Sequence, residues 1–204
     1  NGRSLDGLRV SVSGSGNVAQ YAVEKALQLG AKVITVSDSS GTIVDEDGFT
    51  PEKLAILMDV KNHHYGRVSD YAERTGVKFE AGVRPWHVPV DVALPCATQN
   101  ELDARDAATL IKNGVVCVAE GANMPSTIEA AKAFEAAGVL YAPGKASNAG
   151  GVATSGLEMS QNAARLAWPR EEVDARLLQI MQGIHAACLR YGKHADGRVS
   201  YVDG

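Results

Sequence analysis

Short β-branched runs alternate with longer helix-spaced runs through the first two thirds of the chain. "LRVSVSG" sets apolar residues at every second position, the period of a strand; over roughly Val18 to Leu29 the spacing lengthens to three and four, the period of a helix. "KVITVSD" reads as a second strand, with helices expected from Pro51 toward Val60 and around Val68 to Thr75. "VDVALPCA", "CVAEGA" and "VLYAPG" continue as buried strands, the first two followed by helical stretches over Asn100 to Asn113 and Pro125 to Ala137. Beyond Gly151 the pattern changes to two helices, about Thr154 to Trp168 and Arg170 to Gly192. The second sets Val173, Leu177, Ile180, Met181, Ile184, Cys188 and Tyr191 on one face, which suits packing on the sheet layer or on a missing neighbour. This rhythm predicts a doubly wound α/β fold, a mostly parallel sheet with helices on both faces and two C-terminal helices. With no repeat and no low-complexity linker, residues 1–204 are expected to form one domain. The tail "HADGRVSYVDG" has no closing element, so the chain is expected to be cut from something longer.

Composition narrows the chemistry. The net charge of −4 and the scattered placement of Lys and Arg give no surface for a nucleic-acid backbone or an anionic membrane. No apolar run reaches the roughly 18 residues that span a bilayer, and "NGRSLDG" holds no signal-peptide core. Cys96, Cys117 and Cys188 are odd in number, far apart and outside any C-x-x-C, which fits reduced, structural thiols in a cytoplasmic protein. His63 and His64 are adjacent, so on a regular element they diverge, and no acid or thiol joins them at ligand spacing; no metal is expected. His185, on the second C-terminal helix, reads as a satisfied core or flank histidine, and His87 and His194 carry no triad signature.

The chemistry concentrates at one turn. Gly14-Ser15-Gly16-Asn17-Val18-Ala19 is G-x-G-x-x-A, after a strand and opening a helix, the context of a dinucleotide fingerprint. Gly14 allows the tight turn, Gly16 lets a pyrophosphate approach the backbone, and Ala19 lets the helix pack close to its strand. The pyrophosphate would lie on the helix's unpaired N–H groups. Asp38 ends the next strand, 22 positions after Gly16, near the spacing at which a carboxylate meets the adenosine ribose. Such a carboxylate suits NAD and repels the 2′-phosphate of NADP, yet Ser39 and Ser40 follow it, and Lys61 and Arg67 stand in "DVKNHHYGRVSDY". Those two cations are either solvated surface charge or groups reaching across to a phosphate, and composition does not decide between NADP and NAD. Thr98, Gln99, Asn123 and Asn148 each follow an apolar strand pattern, where open α/β sheets bind ligands, although turns and helix caps use the same residue types. Gly150 and Gly151 offer backbone flexibility before Ser155, a hydroxyl at a helix start that serves a ligand or an N-cap.

"RVSVSGSGNVA", "SDSSGT", "LPCATQNEL", "AEGANMP" and "APGKASNAGGVATSGLEMSQNAARL" together resemble the Rossmann-like cofactor domain of hexameric, NADP-dependent glutamate dehydrogenases, over about Leu8 to Gly204. The resemblance implies reversible oxidative deamination of L-glutamate to 2-oxoglutarate and ammonia, in a cytoplasmic homohexamer, with the catalytic Lys and Asp in an N-terminal substrate domain that has no match here. It therefore implies no catalytic residue in this chain and dinucleotide binding without turnover. Ser15, Asn17 and the adjoining Val18 resemble the phosphate loop, Ser39 a 2′-phosphate contact, and Lys61 and Arg67 the basic residues that help hold that phosphate. His64 stands where such proteins often carry another arginine, a departure that weakens one charge. Thr98, Gln99, Asn123 and Asn148 resemble residues around the nicotinamide, while Val152 and Ser155 resemble the lining and the hydroxyl of the glutamate side-chain pocket. The alternatives are a related branched-chain or aromatic amino acid dehydrogenase, which would want an apolar residue in place of Ser155, and a non-catalytic dinucleotide-binding sensor module.

Overall fold

A computed structural model describes residues 4–204. Seven strands form one sheet: β1 (Arg9–Val12), β2 (Lys32–Asp38), β3 (Gly41–Val44), β4 (Lys78–Ala81), β5 (Val92–Leu94), β6 (Cys117–Ala119) and β7 (Leu140–Ala142), in the order β4-β3-β2-β1-β5-β6-β7. The pairs β1·β2, β1·β5 and β5·β6 are parallel. The helices are α1 (Asn17–Gln28), α2 (Pro51–Met58), α3 (Val68–Thr75), α4 (Ala104–Lys112), α5 (Ile128–Ala136), α6 (Gly144–Ser147), α7 (Ala149–Ala164) and α8 (Arg170–Tyr191). The chain divides into two compact units, one ending at Tyr141 and the other Ala142–Gly204.

In the first unit both faces of the sheet are buried; the β1–β2 register slips by one residue between Val10 and Ser11, an irregularity in β2 that breaks strict alternation and lets Val33 and Val36 join one face. Val33 and Val36 of β2 join α1, α2 and α3 through Val23, Leu54, Leu57, Val68 and Tyr71, whereas Ile34 joins α4 and α5 through Ala107, Leu110, Ala130 and Phe134. The doubly wound, mostly parallel α/β architecture is thus present. The chain winds outward from β1 on one side and then returns to add β5 on the other, so the strand order reverses between β1 and β5, where such sheets open a crevice at the carboxyl ends of their strands.

The structure departs from the sequence reading in local ways. Strands β3 and β4 were not anticipated, and both pair antiparallel. "SDSSGT" makes a tight hairpin in which Asp38 faces Gly41 across Ser39 and Ser40. A side chain at Gly41 would run into the carbonyl of Glu80 on β4, so this glycine lets two backbones approach. Helices α4 and α5 begin later than expected, because Asp103 and Thr127 cap them by accepting hydrogen bonds from the first-turn N–H groups. The segments before the caps pair with each other instead: Asn100 N–H donates to Met124 C=O (3.0 Å) and Leu102 N–H to Pro125 C=O (2.9 Å). After α2 the chain takes a widened π turn over Asp59–His63, and no apolar period announces it.

The second unit contains α6, α7 and α8. Helix α7 starts at Ala149, five residues before the expected Thr154, so Gly150 and Gly151 are helical and not a flexible link. Helix α8 follows the expected span, but of its apolar face only Cys188 is buried.

Candidate dinucleotide site at the carboxyl ends of β1, β2 and β5

The two glycines after β1 differ in what holds them. Gly14 has φ +83°, and a Cβ there would lie 2.9 Å from the Cys96 carbonyl oxygen and 3.2 Å from Ala97 Cα. Its N–H donates to Ser37 Oγ (3.0 Å) and its carbonyl accepts from Ser37 N–H (3.1 Å), so β2 clamps the turn on its other side. Gly16, in contrast, has φ −81°, and a Cβ there meets no protein atom within 4 Å. Nothing in the chain's own packing calls for glycine at that position. It is the N-cap of α1 and gives that helix no side-chain cap, which leaves first-turn N–H groups facing open space with the positive end of the helix dipole behind them. That arrangement suits the charge of a phosphate, with open space beside Gly16. Ser15 is buried, whereas Asn17 and Val18 are exposed at the helix entrance.

The end of β2 carries the second cluster. Asp38 Oδ1 accepts from the Ser40 N–H (2.8 Å) and hydroxyl (2.6 Å); Oδ2 accepts from the Val68 N–H (3.0 Å) and the Lys61 ammonium (3.2 Å). Four donors meet a carboxylate with about four lone-pair sites. Burial works against its charge, but the two Ser40 bonds, the Val68 N–H and Lys61 outweigh it and hold the carboxyl below its usual value. Lys61 also donates to the Gly66 carbonyl (2.8 Å), and Arg67 Nη1 donates to Ser39 Oγ (2.6 Å). Lys61 and Arg67, 23 and 29 residues beyond Asp38 in the sequence, therefore converge on the β2–β3 hairpin and are not scattered surface charge.

His63 and His64 do not diverge as expected. Both reach Asp59, at 3.1 Å and 3.4 Å, where Arg74 also binds at 2.8 Å. The widened turn brings residues four and five beyond Asp59 over the same carboxylate, a geometry that ordinary helical spacing does not give.

Beside the crevice, the turn after β5 carries Thr98 and Gln99, both exposed, and the backbone pairing of Asn100 with Met124 lays it next to the loop that carries Asn123. Each loop is braced by a buried carboxyl missed in the sequence. Glu101 accepts from Ser13 Oγ (2.8 Å) and Ala97 N–H (2.9 Å), while Ser13 Oγ accepts from Cys96 N–H (2.9 Å). Burial pushes the Glu101 carboxyl above its usual value, against the Ala97, Ser13 and Thr98 bonds that favour its charge. Glu120 accepts from the Tyr141 hydroxyl (2.6 Å) and the Ser126 N–H (3.3 Å). A lone Glu after an apolar strand gives no sign of such a role; its burial does. Burial also pushes the Cys96 thiol up to about 12, so it is inert at neutral pH, and all three cysteines are unpaired. Among the described residues no group of three or more His, Cys, Asp or Glu has metal-site geometry, and no helix is long and apolar enough to cross a membrane.

The remaining expected residues stand on α7 in the second unit. Asn148 is the N-cap residue, without a side-chain cap, and Val152 and Ser155 follow at four and seven positions, on one face of the helix. Val152 is 79% exposed. Ser155 is not an N-cap; it sits two turns in, and its hydroxyl donates back to the Gly151 carbonyl (3.3 Å).

Comparison with known proteins bears on this geometry. The chain is 64% identical over 203 residues to the NADP-specific glutamate dehydrogenase of Escherichia coli K12, and 59% identical to the NAD(P)-specific glutamate dehydrogenase of Xylanibacter ruminicola. Both matches cover all of this chain, which spans about 45% of the length of the curated relatives it matches. In structure it resembles glutamate dehydrogenase 2 of Plasmodium falciparum, with a TM-score of 0.93 and 44% identity over 98% of this chain and 44% of that one. The family model described as Glutamate/Leucine/Phenylalanine/Valine dehydrogenase matches residues 1–204, and the chain belongs to that family.

Proposed function

We propose that the chain is the coenzyme-binding domain of an NADP-dependent glutamate dehydrogenase, in which both units serve the reversible oxidative deamination of L-glutamate to 2-oxoglutarate and ammonia within a cytoplasmic homohexamer. The observation that carries the cofactor choice is Asp38. Its acceptor sites are filled by Ser40, Val68 and Lys61, which leaves none for the ribose diol of NAD, and two cations with Ser39 stand around it instead. Lys61, Arg67 and Ser39 would hold a 2′-phosphate by charge-assisted hydrogen bonds, with Asp38 orienting Lys61. Gly14, Ser15, Gly16, Asn17 and Val18 would cradle the pyrophosphate. Thr98, Gln99, Asn123 and Asn148 would orient the nicotinamide amide, and Val152 and Ser155 would face the glutamate side chain. When bound, the nicotinamide supplies the hydride chemistry; the chain supplies position.

Calorimetric titration of the 204-residue chain with NADPH and NADH tests the reading. NADPH is expected to bind at least about tenfold tighter at low salt, some 1.4 kcal/mol, with the preference shrinking as salt rises. Equal affinities or a preference for NADH would overturn it. Because the family's catalytic Lys and Asp have no match here, glutamate-dependent NADPH formation by this chain alone is expected to be absent.

A further inference from the structure

Gln20 occupies a position where α1 calls for an apolar residue. It lies on the buried face with Ala19, Val23 and Ala26 and is 1% exposed. A buried amide is costly unless it is hydrogen-bonded. Gln20 Nε2 donates to the Ser15 carbonyl (2.8 Å) and to Asn62 Oδ1 (3.1 Å), and its Oε1 accepts from Asn62 Nδ2 (3.0 Å). The two amides thus face each other in a reciprocal pair. One end of this link is the phosphate turn; the other is the π turn, where Asn62 directly follows Lys61. π turns are rare and need local support to persist. If the turn relaxed to ordinary helical winding, side chains within it would turn by up to about 100° around the axis, and Lys61, the third of its five residues, would leave Asp38.

We propose that the Gln20–Asn62 amide pair sets cofactor selectivity by holding the Asp59–His63 turn in the form that stands Lys61 beside Asp38 and the 2′-phosphate. Gln20 and Asn62 are positioning residues in this scheme: neither has to touch the extra phosphate, and both act through Lys61. The pair also ties the pyrophosphate end of the cofactor to its 2′-phosphate end through protein, so the two anchor points keep a fixed spacing. The inference rests on the NADP reading above.

The test uses Asn62→Ala, since Asn62 is exposed and its truncation leaves the core packing in place. Dissociation constants for NADPH and NADH are measured for wild type, Asn62→Ala, Lys61→Ala and the double variant. Loss of the neutral amide pair is expected to weaken NADPH by about three- to tenfold, with NADH changed by less than about twofold. In the Lys61→Ala background the Asn62 substitution is expected to add nothing for NADPH, because residues that act through one another are not additive. Equal weakening of both cofactors, or an undiminished Asn62 effect without Lys61, would overturn the proposal. Gln20→Leu, which keeps the buried volume but also removes the bond to the Ser15 carbonyl, should weaken NADPH more than NADH while lowering both affinities. Absence of any NADPH preference in the wild type would instead break the cofactor reading, and is recognised because the unmodified chain, not the variant, fails.

Discussion

The phosphate turn and the cluster at the end of β2 are two ends of one candidate site, built in opposite ways. The turn is local: six consecutive residues make a strand-to-helix corner, and its chemistry is backbone N–H groups and empty space. The β2 cluster is assembled from Asp38, Ser39, Lys61, Arg67 and Val68, delivered by a hairpin, a π turn and the start of α3. A local site tolerates change around it and fails when its own space is filled. An assembled site fails gradually, as each distant contributor shifts.

That contrast can be broken most sharply at the turn. Gly16→Val should lower NADPH affinity by more than about 100-fold, some 2.7 kcal/mol, while circular dichroism shows the fold intact, because a Cβ at this position meets no protein atom within 4 Å. Unchanged affinity would show that the open space at Gly16 is not a cradle. Gly14→Ala tests the other glycine. Its positive φ and the Cys96 carbonyl oppose any Cβ, and the strain alone costs about 1–3 kcal/mol, so the melting point should fall by roughly 2–4 °C for each kcal/mol lost. A melting curve like that of the wild type would mean that the corner relaxes freely.

Effects at the assembled end should be smaller and selective. Replacing Lys61 and Arg67 together by Ala is expected to weaken NADPH by about tenfold, some 1.4 kcal/mol, and NADH far less, with the difference lost in high salt. Equal weakening would return both residues to plain surface charge. The smallest effect is the acid dependence of Asp38. Its folded value is lowered, so its contribution is present above the ordinary carboxylate value near 3.8 and disappears as pH falls through the lower folded value. Asp38→Asn should therefore reduce stability at pH 7 in urea melts, with the difference shrinking only as pH falls below the ordinary carboxylate value and through the lowered folded one. A gap that persists undiminished in acid would assign the loss to shape and not to charge.

Much of the fold was legible because period and burial coincide in the first unit. The bounds expected for α3 and β2 match the structure, α3 through its apolar period and β2 through a seven-residue run rich in β-branched residues that ends at an acid. The hairpin strand β3 was missed because "GTIV" is four residues long and buried throughout, with no alternation to reveal it. The tight turn expected at Gly14 is present, with positive φ, whereas at Gly16 the structure shows open space and no packing reason for glycine.

The sequence by itself determined the strand-turn-helix corner, the parallel alternation and the presence of an acid at the end of β2, because each is written in residues a few positions apart. Only tertiary structure decided what Asp38 does. Its four hydrogen-bond donors come from residues 40, 61 and 68, and whether a carboxylate meets a ribose or a lysine depends on distances that no linear spacing encodes. The same holds for Gln20, Glu101 and Glu120, polar residues whose importance lies in being buried with partners drawn from other elements. Burial is a property of the packed chain, and the cost of leaving such groups unpaired is what fixes the loops around the crevice.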